Sequence, residues 1–130
     1  MSKNILIIGG TGFIGYHLAK SCLNLKWSVS SISLNKPRKN RKLNDVNYLV
    51  LDISNKKNLK KLDKHTYDFV INLGGYVEHL NKTQVKNYHF LAVKNLYEYF
   101  KNKNIKKFIQ VGSSAEYGKS RVPQKENFDC

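Results

Sequence analysis

Four glycines stand close together in the run Gly9-Gly10-Thr11-Gly12-Phe13-Ile14-Gly15. Positions 9, 12 and 15 fit a GxxGxxG spacing, and positions 10, 12 and 15 fit GxGxxG. The chemistry open to such a run is anion binding. A tight turn needs a residue free to take positive φ, and close approach of a phosphate needs backbone without a Cβ. A helix that starts at Phe13 and Ile14 adds unpaired N–H donors and the positive end of its dipole. Further along stand other residues with chemical potential. Asp52 is followed by Ile53, Gly74-Gly75 follow Leu73, and hydroxyls gather at Ser113, Ser114 and Tyr117.

These residues need elements to hold them. Asn4 to Ile8 is a short continuous apolar run, as in a strand covered on both faces. Phe13 to Lys26 reads as a helix, with Ile14, Leu18, Cys22 and Leu25 expected inward. Ser28 to Leu34 alternates as a second strand, and Asn35 to Asp45, with Pro37, reads as a loop. Tyr48 to Leu51 predicts a third strand, and Asn55 to His65 a short basic helix with Leu59 and Leu62 inward. Tyr67 to Leu73 predicts the fourth strand, Thr83 to Asn102 the longest helix and Lys106 to Val111 the fifth strand. No regular element is expected after Gly118.

Such alternation predicts an α/β fold over residues 1–130, a Rossmann-type doubly wound parallel sheet with strand order 3-2-1-4-5. Ligands of such sheets bind beyond the carboxyl ends of the strands. The glycine run, Ser33, Asp52, Gly74-Gly75 and Gly112–Gly118 all fall there.

The run GGTGFIG resembles the start of the extended short-chain dehydrogenase/reductase family, the NAD(P)-dependent nucleotide-sugar epimerases and dehydratases. Leu51-Asp52-Ile53 resembles that family's acidic adenine-contacting turn, and Val70 to Gly75 its stretch under the nicotinamide ribose. Val111-Gly112-Ser113-Ser114-Ala115-Glu116-Tyr117-Gly118 resembles its SSxxxYG stretch. The likeness runs along essentially the whole chain. It implies an NAD(P)-binding domain, the N-terminal portion of a longer fold, with Gly9, Gly12, Phe13, Ile14, Gly15, Ser33, Arg38, Asp52, Ile53, Leu73, Gly74 and Gly75 around the coenzyme.

The family's ribose-binding acid falls in register on Ser33, and no acidic residue occurs between Gly15 and Asp45. Lys36, Arg38, Lys39, Arg41 and Lys42 follow instead. A hydroxyl with nearby cations accepts a 2′-phosphate that a carboxylate would repel, so NADP is expected over NAD. Asp52 has two readings, an acceptor for the adenine amino group and an N-cap of the next helix.

The family reaction draws a hydride from a sugar carbon while a Tyr, helped by a Lys, takes the hydroxyl proton. Ser113 matches the Ser/Thr that hydrogen-bonds the same hydroxyl, and Ser114 and Tyr117 are expected to shape the substrate pocket. No Tyr-x-x-x-Lys follows Ser113, so these 130 residues are expected to carry the coenzyme half without turnover of their own. Ser114 and Ala115 stand where dehydratases carry an acidic pair, which favours epimerase or reductase chemistry on a nucleotide sugar. A non-catalytic dinucleotide-binding or regulatory module on the same fold is the alternative. In the family the long helix builds a dimer interface. Its two apolar stripes are expected to be Val85, Tyr88, Ala92, Leu96 and Tyr99, and Phe90, Val93, Tyr97 and Phe100, so self-association through residues 83–102 is expected.

Composition excludes other classes. The chain has 130 residues, 41% hydrophobic and 12% aromatic, enough for one packed domain. No apolar run reaches the roughly 18–20 residues of a membrane span, and the glycines after Ile8 argue against a signal peptide. A net charge of +14 invites nucleic acid as a partner, but Lys outnumbers Arg 20 to 3. Arg forks are what base and phosphate readout favours, so a solvated basic surface is expected and no nucleic acid. Cys22 and Cys130 suggest neither disulfide nor metal, and a reducing, cytoplasmic setting follows by default. His17, His79 and His89 lack metal-ligand spacing, and His79 is a candidate for the substrate pocket.

Overall fold

The computed structural model describes residues 2–76, 78, 80–119 and 121–128. His79 and Cys130 lie outside the described residues. Five parallel strands run in the order β3-β2-β1-β4-β5. They are β1 (Asn4–Ile8), β2 (Ser28–Ser33), β3 (Val46–Val50), β4 (Phe69–Asn72) and β5 (Lys107–Gln110). The order reverses at β1, which pairs Ile8 with Ile32 on one side and with Asn72 on the other. Two strands thus diverge beyond Ile8 and leave a crevice, into which the glycine run opens.

β1 explains its own apolar run. Ile5 and Ile7 join Ala19 and Cys22 of helix α1 (Phe13–Asn24) on one face. Leu6 and Ile8 join Ala92, Leu96 and Phe100 of helix α3 (Ala92–Phe100) on the other. Both faces exclude water, so both registers must be hydrophobic. The buried stripe of α1 is Gly15, Ala19 and Cys22, and not the expected set in full. Ile14 and Leu25 are 63% and 65% exposed. Small residues let α1 lie close on the sheet, which turns the larger side chains outward. The helix ends with Lys26 at φ 60, its N–H on the Leu23 carbonyl and the Trp27 N–H on that of Cys22. This is a Schellman-type stop with lysine where glycine is usual.

The basic segment after β3 is a 3₁₀ helix, Lys56–Leu62, rather than an α-helix. Its two buried side chains, Leu59 and Leu62, are three residues apart, and a 3₁₀ turn aligns i with i+3. Asn55 caps it by accepting from the Lys57 N–H. A shorter 3₁₀ turn, Lys39–Arg41, interrupts the expected loop, and another, Ser114–Tyr117, follows β5. The long helix is helical from Lys82 to Phe100, in three pieces. Helix α2 (Lys82–Lys86) passes through a π turn (Asn87–Leu91) into α3. Phe100 belongs to its buried stripe, not to the outer one expected, while Phe90 and Tyr97 stay 56% and 60% exposed. A helix packing on a sheet buries one stripe, and the residues opposite it meet solvent.

Cover fades across the sheet away from α1. Ile7, Ile71 and Ile109 are in register on one face. Ile7 is fully buried, Ile71 half-buried and Ile109 exposed. Among the described residues no helix is long and apolar enough to cross a membrane.

Candidate functional site

The loop from β1 to α1 is built on backbone geometry. Gly9 has φ +81, and its N–H donates to the Ile32 carbonyl at 2.7 Å. Its own carbonyl accepts from the Gly12 N–H at 3.0 Å, closing the turn. A Cβ on Gly15 would overlap the Gly9 carbonyl and Gly10. Only glycine lets the first turn of α1 sit this close to the loop. No side chain caps α1 and no acidic residue stands in its first turn, so its free N–H groups and positive dipole end face the crevice. Those are the features a pyrophosphate requires, and a branched side chain would fill the cradle. Phe13 and Ile14 are exposed at its rim.

Two cavities lie along the carboxyl ends of the strands. One, about 180 Å³, is lined by Gly9, Thr11, Ser33, Leu51, Ile53 and Tyr88, among others. The second, about 320 Å³, is lined by Leu73, His89, Gln110, Gly112, Ser113 and Glu116, among others. Gly74 and Gly75 line both. Gly74 and Gly75 thus stand between two neighbouring cavities at the strand ends, and the glycine run lines the first of them.

In the first cavity the Ser33 hydroxyl donates to the Ile32 carbonyl at 2.7 Å and accepts from the Thr11 N–H at 3.3 Å. This ties the tip of β2 to the glycine loop. The Arg41 guanidinium stands over the Phe13 ring at 5.8 Å and is half-buried, while Arg38 is exposed. The sequence singled out Arg38; only the 3₁₀ turn brings its neighbour Arg41 back to the loop. Asp52 turns one carboxylate oxygen onto Ser54, accepting from its N–H at 2.9 Å and its hydroxyl at 2.7 Å. It holds the loop before the 3₁₀ helix and does not cap that helix, which Asn55 does. Asn95 of α3 donates to the carbonyls of Ile53 and Ser54 at 3.1 and 2.7 Å and so fixes Ile53 at the cavity wall. Burial, then the Asp52 charge, push the Tyr88 hydroxyl above its ordinary value.

Behind the second cavity's wall Asn72, fully buried, donates to the Gln110 side chain at 2.8 Å and accepts from the Gly74 N–H at 2.9 Å. The Ser113 hydroxyl accepts from the Ala115 N–H at 3.2 Å, and Glu116 answers by accepting from the Ser113 N–H at 2.9 Å. This capping box sets the Ser113 side chain at the cavity edge. Ser114, Glu116, Tyr117 and Glu126 line an open hollow of about 540 Å³ beside it. His89, which lines the second cavity, and the supporting side chains of Asn72 and Asn95 were not assigned a role from the sequence. A helical residue reaching a distant loop leaves no local pattern, although polar Asn72 within the apolar Val70–Leu73 run was a visible anomaly.

Comparison with known proteins places this geometry. The profile of the NAD dependent epimerase/dehydratase family matches residues 5–130. The bifunctional UDP-glucose 4-epimerase and UDP-xylose 4-epimerase 1 of Pisum sativum is 29% identical over 147 residues, 98% of this chain and 41% of that protein. The chain thus spans less than half the length of that relative. Among solved structures, the ADP-L-glycero-D-manno-heptose-6-epimerase of Helicobacter pylori superposes with a TM-score of 0.85 at 26% identity, over 97% of this chain and 44% of that one. The enzyme WbmH of Bordetella bronchiseptica, solved in complex with NAD+, gives 0.82 at 16% identity over 94% and 43%, a likeness of fold. With the profile matched from the first strand onward, this chain belongs to the NAD dependent epimerase/dehydratase family.

Proposed function

We propose that the cleft binds NADP or NAD and that the chain is the coenzyme-binding portion of a nucleotide-sugar epimerase or reductase. The observation that carries this is the pair of neighbouring cavities that share Gly74-Gly75, the first of them beside the glycine loop and a capless helix N-terminus. The N–H groups at Phe13, Ile14 and Gly15 receive the pyrophosphate, on a turn that the Gly12 N–H closes onto the Gly9 carbonyl. Ser33 meets the adenine ribose, Ile53 the adenine, with the second oxygen of Asp52 free for its amino group. Leu73, Gly74 and Gly75 pass under the second ribose. When bound, the coenzyme supplies hydride acceptance and return at a sugar carbon.

Ser113 then offers its O–H hydrogen to the reacting sugar hydroxyl, its lone pair being held by Ala115. Ser114 and Tyr117 stand on the sugar side. Preference for NADP rests on Ser33 in place of a carboxylate, with Arg41 on Phe13 and Arg38 beyond it as the cations for a 2′-phosphate. Amide chemical shifts on titration with NADP+ test the assignment. Changes should centre on residues 9–15, Ile53 and residues 73–75. Changes confined to the lysines of residues 56–64 would reject it and point to a polyanion partner instead.

The exposed Phe90 and Tyr97 on the long helix support a second proposal, association of two copies through that face.

A further inference from the structure

We infer that Tyr88 is a coenzyme-contacting residue, presenting its ring and an unpartnered hydroxyl to the adenosine half of the dinucleotide; the inference rests on the coenzyme reading above. Tyr88 stands in the π turn Asn87–Leu91 of the long helix, a kind of turn frequent at functional sites. Consecutive residues of that turn line different cavities, Tyr88 the first and His89 the second. The first is walled by Ser33 and Asn35 from the tip of β2 and by Leu51 and Ile53 beyond β3. The second is walled by Gln110 and Ser113 at the end of β5, where the hydride chemistry belongs. Tyr88 therefore stands on the adenosine side of the point where the strand order reverses.

The ring is half-buried and stacks on that of Tyr76, with centroids 5.9 Å apart and planes 20° from parallel. The stack holds the ring, and what it leaves uncovered borders the cavity with Leu51 and Ile53. Asn95, further along the same long helix, fixes the Ile53 and Ser54 carbonyls at 3.1 and 2.7 Å. One helix thus positions both an aromatic and an aliphatic wall, the surroundings that a flat purine requires. The hydroxyl is the second feature. Among the described residues it makes no hydrogen bond. The Tyr76 hydroxyl, by contrast, donates to Glu78 at 3.1 Å and that of Tyr99 to Asp63 at 2.6 Å. Packing alone would be served by phenylalanine at position 88. Burial, then the Asp52 charge, keep the hydroxyl protonated, so it offers a donor where Asp52 offers only an acceptor. Adenine has the matching pair, an amino group that donates and ring nitrogens that accept.

The test is calorimetry with NADP+ and with adenosine 2′,5′-bisphosphate, which lacks the nicotinamide half, on the parent, Tyr88→Phe and Tyr88→Leu. Tyr88→Phe should bind both about three- to tenfold more weakly, the range of one hydrogen bond, and Tyr88→Leu should lose more. The urea midpoint of Tyr88→Phe should match the parent's, since the hydroxyl holds nothing in the ligand-free chain; a merely structural hydroxyl would move stability and not affinity. Nuclear Overhauser contacts in the parent complex supply a readout free of variants, and the Tyr88 ring protons should meet those of adenine. Parent-like affinity of Tyr88→Phe and Tyr88→Leu for both ligands, or contacts from Tyr88 to the nicotinamide protons alone, would overturn the inference and leave the coenzyme reading standing. A folded parent that binds neither ligand would overturn the coenzyme reading, and the Tyr88 contact with it.

Discussion

Asn72 and Gln110 meet side chain to side chain across the β4–β5 ladder, Nδ2 to Oε1 at 2.8 Å, one register step from the cleft. The same Asn72 accepts from the Gly74 N–H through Oδ1. One buried amide therefore couples the edge strand to the shared wall of both cavities. Replacement by Ala leaves the Gly74 N–H and the Gln110 Oε1 without their partner, while the Gln110 Nε2 keeps its bond to the Val111 carbonyl. Together with the small cavity left behind, about 2–4 kcal/mol of stability should be lost, read as a lower urea midpoint at unchanged slope. A loss under about 0.5 kcal/mol would show that water replaces the amide at no cost.

Ser33 is proposed to set the coenzyme preference. Calorimetry should find NADP bound more tightly than NAD. Ser33→Asp places a carboxylate against the 2′-phosphate and should remove at least about tenfold of NADP affinity, since charge-assisted bonds of this kind are worth about 1.5–3 kcal/mol. Arg41→Gln should weaken NADP and leave NAD unchanged. Tighter NAD binding by the parent chain would reject the preference outright.

Asp68 gives the fold an acid-sensitive joint. Its carboxylate bonds Lys106 at 2.9 Å and accepts from the Asn4 N–H at 2.8 Å, and these bonds, Lys106 first, hold its carboxyl below the ordinary value. A lowered folded-state value means stability present above the unfolded carboxyl's range, near pH 4, and lost as pH falls through the folded-state value. Unfolding midpoints against pH should therefore drop more steeply below pH 4 for the parent than for Asp68→Asn. Parallel curves would remove Asp68 from the acid response.

The exposed Phe90 and Tyr97 should drive association. Sedimentation at tens of micromolar should show a concentration-dependent species heavier than the monomer, reduced in Phe90→Lys/Tyr97→Lys. A clean monomer throughout would contradict the second-copy proposal.

Local signals carried most of the fold. The glycine spacing, the continuous apolar β1 and the strand–helix alternation each follow from chain-local physics, and strand order followed from crossover handedness. What stayed hidden depends on contacts distant in sequence. Ile14 and Leu25 match a helical stripe by spacing, but the sheet selects Gly15, Ala19 and Cys22 because small residues permit closer approach. Leu59 and Leu62 read equally as α or 3₁₀, and the Asn58 side chain's bond to the Asp52 carbonyl at 2.9 Å helps fix the tighter turn. Arg41 and His89 gain meaning only from the turns that carry them to the cleft.

Calorimetry with NADP on the parent chain and on Gly12→Val decides whether the crevice above Gly9–Gly15 holds a dinucleotide. Gly12 lies at φ −74 in extended backbone, with an added Cβ 3.2 Å from the Gly9 carbonyl oxygen, so circular dichroism first checks that the valine variant is folded, its branches then occupying the phosphate cradle. One-to-one binding by the parent and at least tenfold weaker binding by the variant are expected. Equal affinity of the two, or no binding by a folded parent, would contradict dinucleotide binding there.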